Sequence, residues 1–204
     1  RAVLMEGYLD VARAIEGGVA EAVATCGTAL TGQHARLLQR FAETAVLNFD
    51  QDEAGQKAAR KSLEVLLEEG IRVRIVELPE GHDPDTYLKA EGAEAYRKRL
   101  DEAPEAVEWL MRRAESASDT GSPSGKAAFL AAVMPALVRT TNAVERQAWL
   151  ARVVERGDLD AGAARDELRR ALSGRTGGPS AVAEAATRRP PVPKGAVLLP
   201  AERG

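Results

Sequence analysis

A chain of 204 residues, 45% hydrophobic and 29% charged, has the balance of a globular protein able to bury a sizeable core. Lys and Arg number 28 against 31 Asp and Glu, a formal charge of −3, which argues against holding nucleic acid by bulk attraction alone. A single cysteine, Cys26, excludes a disulfide framework and a cysteine zinc cluster, and no apolar run approaches the roughly 18 residues of a membrane span. A cytoplasmic setting with no membrane partner follows as the expectation. The opening Arg-Ala-Val-Leu-Met-Glu starts inside an apolar run without an initiator methionine, which reads as the interior of a longer protein.

In chain order, Val3–Met5 is a short β-rich run and Tyr8–Glu16 a helix ended by Gly17-Gly18. Ala22–Thr25 is a second run, and the helix after it takes Thr31 as N-cap. Thr44–Phe49 reads as a buried strand, Asp52–Glu69 as a long amphipathic helix closed by Gly70, and Arg72–Leu78 as a fourth strand. This alternation predicts an α/β fold, a parallel sheet flanked by helices. Asp83-Pro84 is a helix start, since Asp caps and Pro at the first helical position gives up no needed N–H.

Beyond Asp83 the pattern is helical throughout: Pro84–Arg99, Pro104–Ala117, Gly125–Val138, Ala143–Arg156 and Ala161–Leu172, an all-α bundle. The domain reading is therefore 1–100 for the sheet, 101–172 for the bundle, 173–194 for a flexible linker and 195–204 for the first residues of a further domain. Residues 173–204 hold five of the ten prolines and no aromatic residue, and are expected to be disordered. They carry five Lys/Arg against two Glu, which leaves residues 1–172 with 23 basic and 29 acidic groups, a net −6.

The informative feature is where carboxylates fall. Glu6 follows the first strand, Asp50 and Asp52 the third, and Asp83 and Asp85 the loop after the fourth; Asp10 lies four residues after Glu6. Ligands of open parallel sheets bind at the carboxyl ends of the strands. If these strands are neighbours, six acids converge, and like charges so placed call for a divalent cation. Magnesium held this way supports phosphoryl or nucleotidyl transfer. Any one acid after a strand is more often a helix cap or a solvated turn, so the signal lies in the composite.

Glu6-Gly7-Tyr8-Leu9-Asp10-Val11, Gly27-Thr28-Ala29-Leu30-Thr31, Phe49-Asp50-Gln51-Asp52-Glu53-Ala54-Gly55 and Leu78-Pro79-Glu80-Gly81-His82-Asp83-Pro84-Asp85 resemble successive motifs of the TOPRIM domain of bacterial DNA primases. The bundle, with Ser124-Gly125-Lys126 and Val144-Glu145-Arg146, is similar to the helices that follow it there, and Leu199–Gly204 to the start of the helicase-binding domain. The resemblance implies a nucleotidyltransferase making RNA primers on single-stranded DNA from ribonucleoside triphosphates. It implies catalytic Glu6, Asp50 and Asp52, with Asp10, Asp83 and Asp85 completing a site for Mg2+ or Mn2+. It also implies a Zn2+ module and a basic half-domain upstream, and a replicative helicase as partner of the C-terminal domain. Without those parts the fragment is expected to be inactive alone. Gln51 departs from the glycine many relatives place between the two aspartates.

The alternatives are a TOPRIM nuclease or topoisomerase fragment and a non-catalytic, recombination-mediator-like DNA-binding module. Gly27-Thr28 at a strand end and Lys57 on the third helix are candidate phosphate contacts, against the plain readings of a turn and a solvated helix face. Gly121–Lys126 is one residue short of a P-loop and reads as a helix entry. His82 reads as a solvated loop residue, Cys26 as a small buried one, and Trp109 and Trp149 as bundle core.

Overall fold

The computed structural model describes residues 1–26, 29–49, 53–79 and 81–176. Strands β1 (Ala2–Met5), β2 (Ala22–Ala24), β3 (Thr44–Leu47) and β4 (Arg72–Ile75) form one sheet in the order β2-β1-β3-β4, all pairs parallel. Helices α1 (Tyr8–Glu16), α2 (Gly32–Gln39) and α3 (Glu53–Glu68) connect the strands, and α4 (Pro84–Glu102) follows β4.

Side chains of a strand alternate between faces, and both faces here are covered. Val3, Met5, Val46 and Val76 form one cluster with Ala14 of α1 and Tyr87, Tyr96 and Leu100 of α4. Ala2, Leu4, Ala45, Leu47, Val73 and Ile75 form the other, with Leu63 and Leu66 of α3. The sheet is thus a three-layer sandwich in which Val23 of the edge strand β2 and Arg72 of β4 stay exposed.

The second cluster does not stop at the sheet. It runs through α5 (Ala106–Ala117), α6 (Pro123–Arg139), α7 (Ala143–Arg156) and α8 (Ala161–Thr176), taking in Trp109, Met111, Phe129, Leu137, Trp149 and Leu168. Helix α5 sits directly on β4: Ile75 N–H donates to Pro104 O at 3.0 Å, and Arg74 bridges Glu105. Both tryptophans are core residues, each under an arginine: Arg113 lies 4.9 Å from the Trp109 ring and Arg152 5.0 Å from that of Trp149.

Two glycines are required by geometry. Gly92 has φ 82°, and this left-handed residue breaks α4 into two segments that can bend over the sheet. Gly125 opens α6 against Asp119, whose carbonyl oxygen would lie 1.7 Å from an added Cβ.

Two expectations need correcting. The first residues assigned to the linker are helical: α8 continues through Thr176, across Gly174, and Ser173 Oγ donates back to Arg169 O at 2.9 Å. A single glycine inside a helical pattern is tolerated, so the helix outruns its apolar pattern. Cys26 is exposed and not buried, because it occupies the turn after β2 with φ 52°, which carries its side chain away from the core. The remaining linker, 177–194, and the stretch 195–204 lie outside the described residues.

Candidate functional site

Strand order decides where a site can form. From β1 the chain moves to one side to make β2, then crosses to the other side to make β3, so β1 and β3 are neighbours on which the winding reverses. Such a switch point opens a crevice at the carboxyl ends of the two strands. Leu4 pairs with Leu47, and Asn48 N–H donates to Leu4 O at 2.9 Å. Glu6 therefore follows the strand paired with β3, and Asp50 comes two residues after Asn48 in sequence.

Glu6 and Asp10 are half-buried at this edge. Asp10 Oδ2 accepts the Gly7 N–H at 3.0 Å, which ties the first turn of α1 to the loop bearing Glu6. A carboxylate there is also favoured by the amino end of the helix. Asp50 and Asp52 lie outside the described residues, as do Gly27 and Thr28.

Asp83 and Asp85 are engaged locally. Asp83 caps α4: its Oδ1 accepts from Thr86 N–H at 2.7 Å and from Thr86 Oγ1 at 2.8 Å, while Thr86 Oγ1 takes the Asp83 N–H at 2.9 Å. Asp85 pairs with Lys89 at 2.5 Å and with Arg13 of α1 at 3.4 Å. The packing of α4 on α1 thus brings Asp85 to the outer side of α1, three residues beyond Asp10. The exposed side chains of Lys57, Arg60 and Lys61 lie on α3.

The Thr86 backbone N–H, and then its hydroxyl, hold the Asp83 carboxyl below the usual carboxylate range. A lowered folded-state pKa means that the cap stabilises the fold fully above the unfolded value, and is lost as pH falls through the folded one. Asp83→Ala is expected to cost about 1 kcal/mol at neutral pH. It should also flatten the acid limb of the stability profile below about pH 4. Urea denaturation between pH 2.5 and 7 checks both.

Asn48 and Arg113, which sequence patterns did not single out, also lie at this edge. Asn48, at the end of β3, is 2% exposed and donates through Nδ2 to the hydroxyl of Tyr96, which is fully buried in α4. Burial, and more weakly the Asp10 charge, push the Tyr96 phenol above its ordinary range. Tyr87 packs against Tyr96 and His82, and its hydroxyl accepts from Arg99 Nε at 3.3 Å. On the other face Arg113 of α5 reaches Gln56 of α3 at 2.9 Å and Glu77 after β4 at 3.2 Å. It thereby latches the start of α3 to the sheet edge. Tyr87 and Tyr96 are buried, which removes them as nucleophiles of a topoisomerase type.

The donors at this edge are carboxylate oxygens, the chemistry of a hard divalent cation. Among the described residues no three His, Cys, Asp or Glu converge on one point. The two large grooves lie elsewhere, about 590 Å³ between β2 and α2 and about 1050 Å³ between α6 and α8. No helix among the described residues is long and apolar enough to cross a membrane.

Residues 3–88 match a family model described as Toprim-like, the class that a four-stranded parallel sheet with acids at its switch point defines. Residues 107–156, covering α5 to α7, match a second, described as the DnaB-helicase binding domain of primase. The DNA primase of Halalkalibacterium halodurans is 33% identical over 167 residues, 81% of this chain and 28% of that protein. A crystal structure of a DNA primase domain from Pseudomonas aeruginosa aligns with a TM-score of 0.72 and 32% identity, over 82% of this chain and 54% of that one. A DnaG primase catalytic domain bound to ssDNA aligns with a TM-score of 0.69 and 29% identity, over 80% of this chain and 53% of that one. The chain belongs to the bacterial DNA primases of the DnaG type. It spans under a third of the curated relative and about half of each structural relative.

Proposed function

We propose that this chain forms the cation-binding part of a primase, which joins ribonucleoside triphosphates into an RNA primer on single-stranded DNA by nucleotidyl transfer. The observation that carries the reading is the pairing of β1 and β3 at the switch point, the two strands that Glu6 and the Asp50-Gln51-Asp52 run follow in sequence. The likeness to a catalytic domain with bound ssDNA supports the template class.

In this reading Glu6, Asp50 and Asp52 hold Mg2+ or Mn2+, with Asp10 beside Glu6 and with Asp83 and Asp85 at the rim. The bound cation would lower the pKa of the primer 3′-hydroxyl and offset charge on the leaving pyrophosphate. The chain's own residues set the geometry. Asp10 fixes the Glu6 loop through Gly7, and Arg113 fixes the start of α3. Lys57 on the exposed face of α3, and the Gly27-Thr28 turn, offer positive charge and N–H groups to triphosphate oxygens. Zn2+ belongs to a separate upstream module.

Residues 1–100 are the catalytic unit and 101–172 a bundle that buttresses it through the shared core. The cytoplasmic replicative helicase is the protein partner. The match of residues 107–156 to a helicase-binding family supports the bundle as part of its surface.

Residues 1–172 carry net −6, whereas a polyanionic template is normally held by Lys and Arg that displace counterions. The test is ribonucleotide incorporation on single-stranded DNA with Mg2+ or Mn2+, using the chain alone and fused to a basic primase half-domain. Asp50→Asn serves as the blank. The fusion should make primers with a steep salt dependence, and the chain alone should make none. A fusion that binds template but shows no cation-dependent incorporation would sink the reading.

A further inference from the structure

The buried Asn48–Tyr96 pair has no evident reason to be polar. Strand β3 alternates Ala45 and Leu47 toward one face with Val46 toward the other, and Asn48 follows Val46 toward the α1–α4 side, where Met5 of β1 and Val76 after β4 are apolar. Leu and Phe would fill the same space. Replacing both members of a buried hydrogen-bonded pair by apolar groups of similar shape is often neutral for stability. Packing alone therefore does not call for an amide and a phenol here.

Three observations tie the pair to the carboxyl edge of the sheet. Asn48 is the last residue but one before Asp50, and its backbone N–H is held by Leu4 of the strand that bears Glu6. Among the described residues its Oδ1 is buried without a partner, and its Nδ2 donates to Tyr96. Tyr96 itself packs in one cluster with Met5 of β1 and Ala14 of α1. One phenol, carried by the half of α4 beyond the Gly92 break, thus reaches the end of β3 and the core beneath α1.

We infer that Asn48 and Tyr96 are positioning residues of the cation site: Tyr96 anchors the Asn48 amide and so fixes the end of β3 relative to β1 and α1. This rests on the reading of Glu6, Asp10, Asp50 and Asp52 as cation ligands. Polar partners behind metal ligands orient them, and their loss typically weakens metal affinity about 10- to 100-fold. A polar pair kept only to set the docking of α4 would move stability and leave cation affinity alone.

Mn2+ affinity of residues 1–204, read by electron paramagnetic resonance, and the urea midpoint are to be measured together for the unmodified chain, Tyr96→Phe, and Asn48→Leu/Tyr96→Phe. Tyr96→Phe should weaken Mn2+ binding about 10-fold and lower the midpoint, because the Asn48 Nδ2 loses its acceptor. In the double variant the midpoint should recover toward that of the unmodified chain while Mn2+ binding stays weak. A stable double variant with unchanged Mn2+ affinity would overturn the inference. Should the double variant fail to fold, unchanged affinity in Tyr96→Phe does the same. Absence of Mn2+ binding by the unmodified chain would instead overturn the ligand assignment, and the positioning role with it.

Discussion

Replacing Asp50 and Asp52 together by Asn is expected to weaken Mn2+ binding by residues 1–204 about 100-fold or more, with no loss of stability in the metal-free protein. Loss of supporting partners alone costs 10- to 100-fold, so removal of two charged ligands should cost no less. The two strands leading to the acids are hydrogen-bonded neighbours, and strands in a sheet lie about 4.8 Å apart. Under the proposed assignment these carboxylates share one cation with Glu6 and repel one another when none is bound, and amides at 50 and 52 relieve the repulsion. The metal-free variant should therefore match or exceed the unmodified chain in its urea midpoint. Calorimetric titration with Mn2+ checks the first part and denaturation in a chelator the second. Unchanged affinity would remove Asp50 and Asp52 from the site.

Phe129→Ala is expected to destabilise the whole chain by about 4 kcal/mol, a large share of the 5–15 kcal/mol typical of a folded domain. Phe129 is fully buried, and its ring closes on the α7 terminus, where an added Cβ on Gly157 would meet it at 2.7 Å. It belongs to the same cluster as Leu4, Leu47 and Ile75 of the sheet. Damage in the bundle should therefore reach the strands. For a chain of this length the thermal midpoint should fall by roughly 10 °C. Tryptophan fluorescence, from Trp109 near the sheet and Trp149 in the bundle, should report one transition coincident with far-ultraviolet circular dichroism. Two separated transitions would show that the bundle and the sheet unfold as independent units.

Much of the architecture was legible in residue patterns because it is written locally. The order of strands and helices follows from periodicity, and Thr31 and Asp83 cap their helices because a hydroxyl or carboxylate at that offset meets the N–H three residues on. Glu6, Asp10, Asp50 and Asp52 stood out because acids recur at the ends of β-rich runs. Local pattern also misled where a short run had two outcomes. Cys26 looked like a core residue, but one left-handed turn exposes it, and α8 continued past its last apolar position because nothing broke it.

What the sequence by itself determined is the alternation of elements, the caps, and the placement of acids after strands. All of these depend on contacts within a few residues. The tertiary structure alone decided that β1 and β3, the strands that Glu6 and Asp50 follow in sequence, meet at the switch point. It alone joined Asn48 to Tyr96 and Arg113 to Gln56, pairs separated by 48 and 57 residues. It also set Asp85 against Arg13 of α1. Those outcomes depend on how helices settle on a twisted sheet, an energy summed over many buried contacts, and no spacing along the chain encodes that sum.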